Sequence, residues 1–161
     1  MIARTEDGEL PIHVAPVDAL DLLETVRGRF ARRAGEQQVA IALAAPPDLV
    51  LDADGVRLEQ ALGNLLDNAL RHGGGDLELA AERARDAVEI HVRDAGPGFP
   101  DGFVATAFER FTRADSARGR GGAGLGLAIV AAVARAHGGT AGARNRPDGG
   151  ADVWLALPER A

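Results

Sequence analysis

Residues 58–75 read LEQALGNLLDNALRHGGG, Leu58 to Gly75, and the reading of this stretch decides the fold. Projected at about 100° per residue, Leu58, Leu62, Leu65, Leu66 and Ala69 share one arc, the buried stripe of an amphipathic helix. Asn64, Asn68 and Arg71 fall outside that arc at i, i+4 and i+7, and Gln60 extends the line they make. Asparagine is a poor helix former because its amide competes for backbone hydrogen bonds. Two of them on outward positions need a reason beyond solvation. The stripe offers two amide oxygens and a guanidinium to whatever lies across it; taken alone, it is an ordinary solvated helix face.

The flanking sequence supplies the rest of an α+β pattern. LPIHVAPV before residue 18 alternates as a strand. DALDLLETVRGRFARRAG has helical periodicity through Leu22, Leu23, Val26 and Phe30, with Gly35 as its stop. QVAIALAAPP alternates Val39, Ile41 and Leu43, and DLVLD is a short second strand. Asp52 or Asp54 then caps the asparagine-bearing helix. DLELAAERA and AVEIHVRD, separated by Arg85 and Asp86, read as an antiparallel hairpin with Val88, Ile90 and Val92 on one face. From Ala95 to Ala123 the pattern dissolves into glycine, proline and arginine, longer than an ordinary connection, as a mobile lid would be. LGLAIVAAVARAHGG is an apolar helix, and TAGARN and ADVWLALP close the chain as two strands. The sum is a two-layer α+β sandwich of a mixed, mostly antiparallel sheet and about three helices. Residues 1–16 read as linker and first strand, and 17–161 as the domain.

Composition narrows the chemistry. A chain of 161 residues with 46% hydrophobic content buries a core without metal or disulfide staples. There is no cysteine, and all 18 basic residues are arginine. Cysteine nucleophiles, lysine Schiff bases and the lysine of a P-loop are therefore excluded. A net charge of −6 argues against a nucleic-acid binder. The most apolar run, Ala123 to Ala134, is far short of the ~20 residues that cross a bilayer, so no membrane contact by this stretch is expected. His13, His91 and His137 lack metal-ligand spacing and read as structural or exposed.

Two further motifs give the asparagine stripe its context. DAGPG, Asp94 to Gly98, puts a carboxylate at a strand end beside a glycine-permitted turn. GRGGAGLGLAIV, Gly119 to Val130, runs a glycine-rich segment into a helix whose first N–H groups and dipole suit phosphate oxygens. Gly119, Gly121 and Gly124 also satisfy GxGxxG, but SARGR before them is no strand, so the dinucleotide fingerprint is not met.

In this order, with NLLDNALRH first, the blocks resemble the ATP-binding catalytic domain of sensor histidine kinases. The wider superfamily, the Bergerat fold, also includes DNA gyrase, the MutL mismatch-repair proteins and the ninety-kilodalton heat-shock chaperones. The likeness runs from about Val17 to Pro158. It implies that Asn68 coordinates Mg²⁺, that Asn64 and Arg71 meet the phosphates of ATP, and that Asp94 accepts a hydrogen bond from the adenine 6-amino group. By the same resemblance Gly96 and Gly98 let the backbone pass close to the base. FERFTR, Phe108 to Arg113, resembles the block whose aromatics anchor the lid, with Arg113 sent toward the γ-phosphate. Gly122, Gly124 and Gly126 match the glycine box, with Leu125 packing the lid base. His72 stands where many members have a tyrosine near the base, and Ala151 where a serine or threonine often helps recognise adenine.

Asn64 carries a further implication. Hydrolysing relatives have a glutamate there as general base, and an amide cannot take up the proton of an attacking water. The γ-phosphate is then held for another acceptor, which in the histidine kinases is a histidine on a separate helical dimerisation domain, followed by an acidic residue and Pro-Leu. His13 and His91 precede valine, and His72 and His137 precede glycine, so none qualifies. The expectation is the cytoplasmic catalytic domain of a larger kinase, with a response regulator downstream, that binds Mg-ATP but does not phosphorylate itself alone. The alternatives are an anti-sigma-type serine kinase, which usually keeps the glutamate, and a nucleotide-binding regulatory domain without transfer activity.

Overall fold

Asp54 starts the helix that carries the asparagines. In the computed structural model, which describes residues 2–3, 10–100, 102–103 and 121–159, its Oδ1 accepts the Arg57 N–H at 3.1 Å, and α2 runs Gly55–His72. Its Oδ2 accepts the His13 N–H at 2.9 Å. Burial disfavours this carboxylate's charge, but the amides of His13, Arg57 and Val56 and the nearby His137 outweigh it and hold its pKa below the ordinary value. Leu58, Leu62, Leu65 and Leu66 are buried as the projection requires, together with Ala61 and Ala69. Each leucine removed from water stabilises the fold by about 2 kcal/mol.

Two other helices are seen among the described residues. α1 (Ala19–Glu36) is capped by Asp18, whose side chain accepts the Asp21 N–H, and it buries Leu22, Leu23 and Val26. It does not stop at Gly35: the helix runs through Gly35 and is closed by Gln38 at φ 59°, with the Val39 N–H returning to the Ala34 carbonyl at 2.8 Å. Those terminal hydrogen bonds satisfy the last carbonyls, which outweighs the preference for glycine in the left-handed position. α3 spans Gly121–Ala136, four residues ahead of the expected start. Gly122, Gly124, Leu125 and Gly126 are therefore in helical backbone and not in a loop, because the apolar run behind them propagates the helix backward. At its other end, His137 accepts the Asp54 N–H on Nε2 at 2.9 Å and donates from Nδ1 to the Val133 carbonyl at 2.8 Å. This ring ties the start of α2 to the end of α3.

The helices lie on one face of a five-stranded sheet. The strands are β4 (Ile41–Ala44), β6 (Leu77–Ala84), β7 (Ala87–Arg93), β8 (Thr140–Asn145) and β9 (Ala151–Pro158), in the order β4-β6-β7-β9-β8. Only the β4–β6 pair is parallel. Arg85, at φ 50°, and Asp86 make the two-residue turn of the hairpin. Val88, Ile90 and Val92 face the helices with Val153, Leu155 and Leu157, all within one buried cluster. The mixed α+β sandwich, with three helices among the described residues, is thus the observed architecture.

The N-terminal strands differ from the expected pattern. LPIHVAPV splits into β2 (Ile12–His13), which pairs with β1 (Ile2–Ala3), and β3 (Ala15–Asp18). β3 pairs antiparallel with β5 (Val50–Ala53), so DLVLD joins the strand before α1 and not its sequence neighbour β4. Among the described residues no helix is long and apolar enough to cross a membrane.

The sheet's other face carries charge. Glu78, Arg93, Asp152 and Arg144 sit opposite one another across four strands with alternating sign. Arg93 Nη1 meets Glu78 at 2.9 Å, and its Nε meets the fully buried Asp152 at 3.3 Å. His91 donates from Nδ1 to Asp152 at 2.7 Å and bonds Glu89 through Nε2 at 3.0 Å. Burial opposes charge on this ring, but the two carboxylates outweigh it and raise the His91 pKa. Burial likewise opposes charge on Asp152, yet the bonds to His91 and Arg93 lower its pKa.

Candidate functional site

A cleft opens where the last turns of α2 meet the ends of β7 and β9. Its floor is Leu65, Val92 and Val153; its walls are Asn68 and His72 from α2, Asp94 at the end of β7, Gly98 and Phe99 beyond it, and Ala151 at the start of β9. It encloses about 410 Å³, counting space open to solvent.

Asp94 is 7% exposed. Its Oδ1 accepts two backbone N–H groups, from Gly96 at 2.9 Å and Ala151 at 3.2 Å. Oδ2 has no partner among the described residues. A buried carboxylate with one oxygen satisfied and the other free is an acceptor waiting for a donor. Ala151 contributes through its main chain, whatever its side chain lacks.

The triple glycine that ends LEQALGNLLDNALRHGGG has a structural reason that the sequence alone did not reveal. After α2 the chain passes directly over the Asp94 loop, and the Ala95 N–H donates to the Gly74 carbonyl at 2.8 Å. A Cβ on Gly96 would run into the backbone of Gly73 and Gly74. The two loops approach closely because neither has a side chain at the crossing.

The asparagines are half-buried, and neither amide has a hydrogen-bond partner among the described residues. Asn68 lines the cleft; Asn64, one turn earlier, does not. Arg71 is exposed and turns back along the helix, its Nε 3.1 Å from Asp67. Asp67 also takes Arg33 Nη1 at 2.6 Å. Burial works against the Asp67 charge, but the two guanidiniums outweigh it and lower its pKa. An exposed pair of this kind holds Arg71 by at most about 1 kcal/mol, so releasing it toward a phosphate costs little.

The structure thus brings Asn68, His72, Asp94 and Gly98 to one cleft, with Gly96 supporting it from behind. Asn64 and Arg71 are on the same helix outside the cleft. Arg113 and the rest of FERFTR lie outside the described residues. Gly122, Gly124, Leu125 and Gly126 are in the first turns of α3, the helix that packs along α2. The residues that sequence reasoning missed are Gly73 to Gly75 and, on the far side, Asn145, Arg146 and Gly150. Gly150 has φ 94°, and a Cβ there would strike the Asp94 carbonyl oxygen.

Residues 53–161 match the model of the histidine kinase-, DNA gyrase B- and HSP90-like ATPases. The chain belongs to this family. Within it, the chain is 49% identical over 137 residues to the sensor histidine kinase component HK1 of Mycobacterium tuberculosis (strain ATCC 25618 / H37Rv), covering 85% of this chain and 79% of that one. It is 45% identical over 157 residues to the probable sensor histidine kinase HK of strain CDC 1551 / Oshkosh, covering 98% of this chain but only 41% of that protein. The crystal structure of the ATP-binding domain of PrrB from Mycobacterium tuberculosis superposes with a TM-score of 0.75 at 36% identity, covering 92% of this chain and 98% of that one. The fold is that of a histidine kinase catalytic domain, and the chain spans about two fifths of the longer relative.

Proposed function

We propose that the cleft binds Mg-ATP and presents its γ-phosphate to a histidine on a separate helical dimerisation domain, as one part of a two-component sensor kinase. The observation that carries this reading is Asp94. Two main-chain amides fix its carboxylate and leave Oδ2 for a donor in the cleft. Adenine has an exocyclic amine at the position where guanine has a carbonyl, so an acceptor there selects ATP. His72 and Phe99 stand beside that position, and Leu65, Val92 and Val153 give the base an apolar floor.

Asn68 fits Mg²⁺: it offers a free amide oxygen on the cleft wall, and this ion takes oxygen ligands while keeping water and phosphate oxygens around it. When bound, the ion neutralises charge on the phosphates. Asn64 extends the polar stripe along the helix toward them. Arg71 reaches them once it leaves Asp67, and Arg113 is the lid residue assigned to the γ-phosphate. Gly122, Gly124 and Gly126 open α3, whose first N–H groups face no intrahelical acceptor and suit an anion. Phosphoryl transfer depends mostly on positioning and charge neutralisation, which these groups supply. Without a carboxylate at residue 64 no base activates water, so transfer is favoured over hydrolysis.

The test mixes the chain with the histidine-bearing helical domain of its own kinase and γ-labelled ATP. Acid-labile phosphohistidine on that domain, and no label on this chain alone, is the expected result. Acid-stable phosphoserine on another protein, or rapid phosphate release without an acceptor, would contradict it.

A further inference from the structure

Asn145 and Arg146 open the turn between β8 and β9, and neither lines the cleft. Both direct their side chains at the main chain of the loop that carries Asp94. Asn145 Oδ1 accepts the Phe99 N–H at 2.7 Å, and its Nδ2 donates to the Phe99 carbonyl at 3.1 Å. Arg146 Nη1 donates to the Asp94 carbonyl at 2.8 Å. The turn is closed on itself, with the Arg146 N–H on the Gly150 carbonyl at 2.8 Å and the Gly149 N–H on the Arg146 carbonyl at 3.1 Å.

The two side chains therefore grip residues 94–99 at both ends. Between Asp94 and Gly98 the loop carries little side-chain packing, being DAGPG, and at its far end the half-buried Phe99 stacks on Phe103 at 5.3 Å. Its backbone is pinned from outside: the Asp94 N–H donates to the Ala151 carbonyl at 2.9 Å, and Ala95 bonds Gly74. Without Asn145 and Arg146, the far end of the loop and the Asp94 carbonyl each lose a partner. The Asp94 carboxylate rests on that backbone and on the Gly96 and Ala151 amides.

We propose that Asn145 and Arg146 are positioning residues for base selection, acting on adenine through Asp94 and leaving phosphate binding untouched. The proposal rests on the reading that Asp94 takes the adenine amino group. A charged guanidinium on a carbonyl makes a stronger bond than a neutral donor, and a lysine keeps that charge. Loss of the bond should weaken ligands that use Asp94 and spare those that do not.

The experiment compares Mg-ATP and Mg-GTP affinities for the unaltered chain, Arg146→Ala, Arg146→Lys and Asp94→Asn. Arg146→Ala is expected to weaken ATP by about tenfold and GTP by less than about twofold, so selectivity falls, while Arg146→Lys restores most of it. An unchanged ATP-to-GTP ratio in Arg146→Ala would overturn the proposal and leave the role of Asp94 standing. Equal losses for both nucleotides would mark a purely structural role and overturn it too. An unaltered chain with no ATP preference, and none lost in Asp94→Asn, would overturn both readings. Should Arg146→Ala fail to fold, Asn145→Ala carries the same comparison, with reduced selectivity expected and an unchanged ratio contradicting the proposal.

Discussion

On the proposed reading Asp94 takes the base and Asn68 the ion, and each role is separately measurable. In Asp94→Asn the amide oxygen can still take the Gly96 and Ala151 N–H groups, but an NH₂ then replaces Oδ2 and meets the adenine amine donor to donor. ATP affinity should fall by roughly tenfold to a hundredfold with thermal stability nearly unchanged, read by calorimetric titration beside a melting curve. A variant that melts far below the unaltered chain would show that Asp94 acts on the fold instead. Asn68→Ala should lose the increment of affinity that Mg²⁺ adds and keep Mg²⁺-free binding; equal losses with and without the ion would contradict its role. At this scale the sequence was legible where residue choices are rare: Asn68 on an outward helix face and Asp94 at a strand end stand at one cleft, and Asn64 stands outside it. It was silent where contacts join distant residues. Arg71 has the right spacing to share the asparagine stripe, yet it turns back to Asp67, which also holds Arg33 from another helix. Nothing in GGG announced that Gly73 and Gly74 are the surface over which Gly96 passes.

Asp54 anchors the start of α2, and glycine crossings hold the loops beside the cleft at its other end. Asp54 caps α2 with one oxygen and ties down His13 with the other, so Asp54→Ala should cost about 1–2 kcal/mol in urea denaturation, against near zero if the cap were idle. Gly150→Ala should cost about 2–4 kcal/mol, since it combines a positive φ with a clash on the Asp94 carbonyl. A cost below about 0.5 kcal/mol would mean the turn can move off the loop. Periodicity located the three helices and the hairpin, and β8 and β9 fall on the stretches it marked. It erred at ends and was silent on partners. Gly35 lost to Gln38 because hydrogen bonds back into α1 decide the stop, and that β5 pairs with β3 is a tertiary choice that alternation does not encode. The first turns of α3 were read as loop because their glycines are poor helix formers, while the apolar residues that follow carry the helix through them.

Across the whole molecule, one sheet face is core and the other is a charged lattice anchored on Asp152. His91 binds its proton more tightly in the folded chain, so its contribution to stability is complete below its ordinary value of 6.5 and is lost as pH rises through the raised native value. Asp152 runs the other way, contributing above 3.8 and losing its contribution as pH falls through the lowered native value. Melting temperature should therefore decline on the alkaline side in the unaltered chain and more shallowly in His91→Gln; parallel profiles would remove His91 from the account. The architecture as a whole was legible because its motifs occur in a fixed order, whereas this charged face was not, since alternate polar residues look alike until register sets them opposite one another. The most direct test of the central claim is titration of the chain with a non-hydrolysable ATP analogue, with and without Mg²⁺. Saturable binding between submicromolar and millimolar, tighter with the ion and not reproduced by the guanine counterpart, is the predicted result. No detectable binding at millimolar analogue, or binding indifferent to both base and ion, would contradict it.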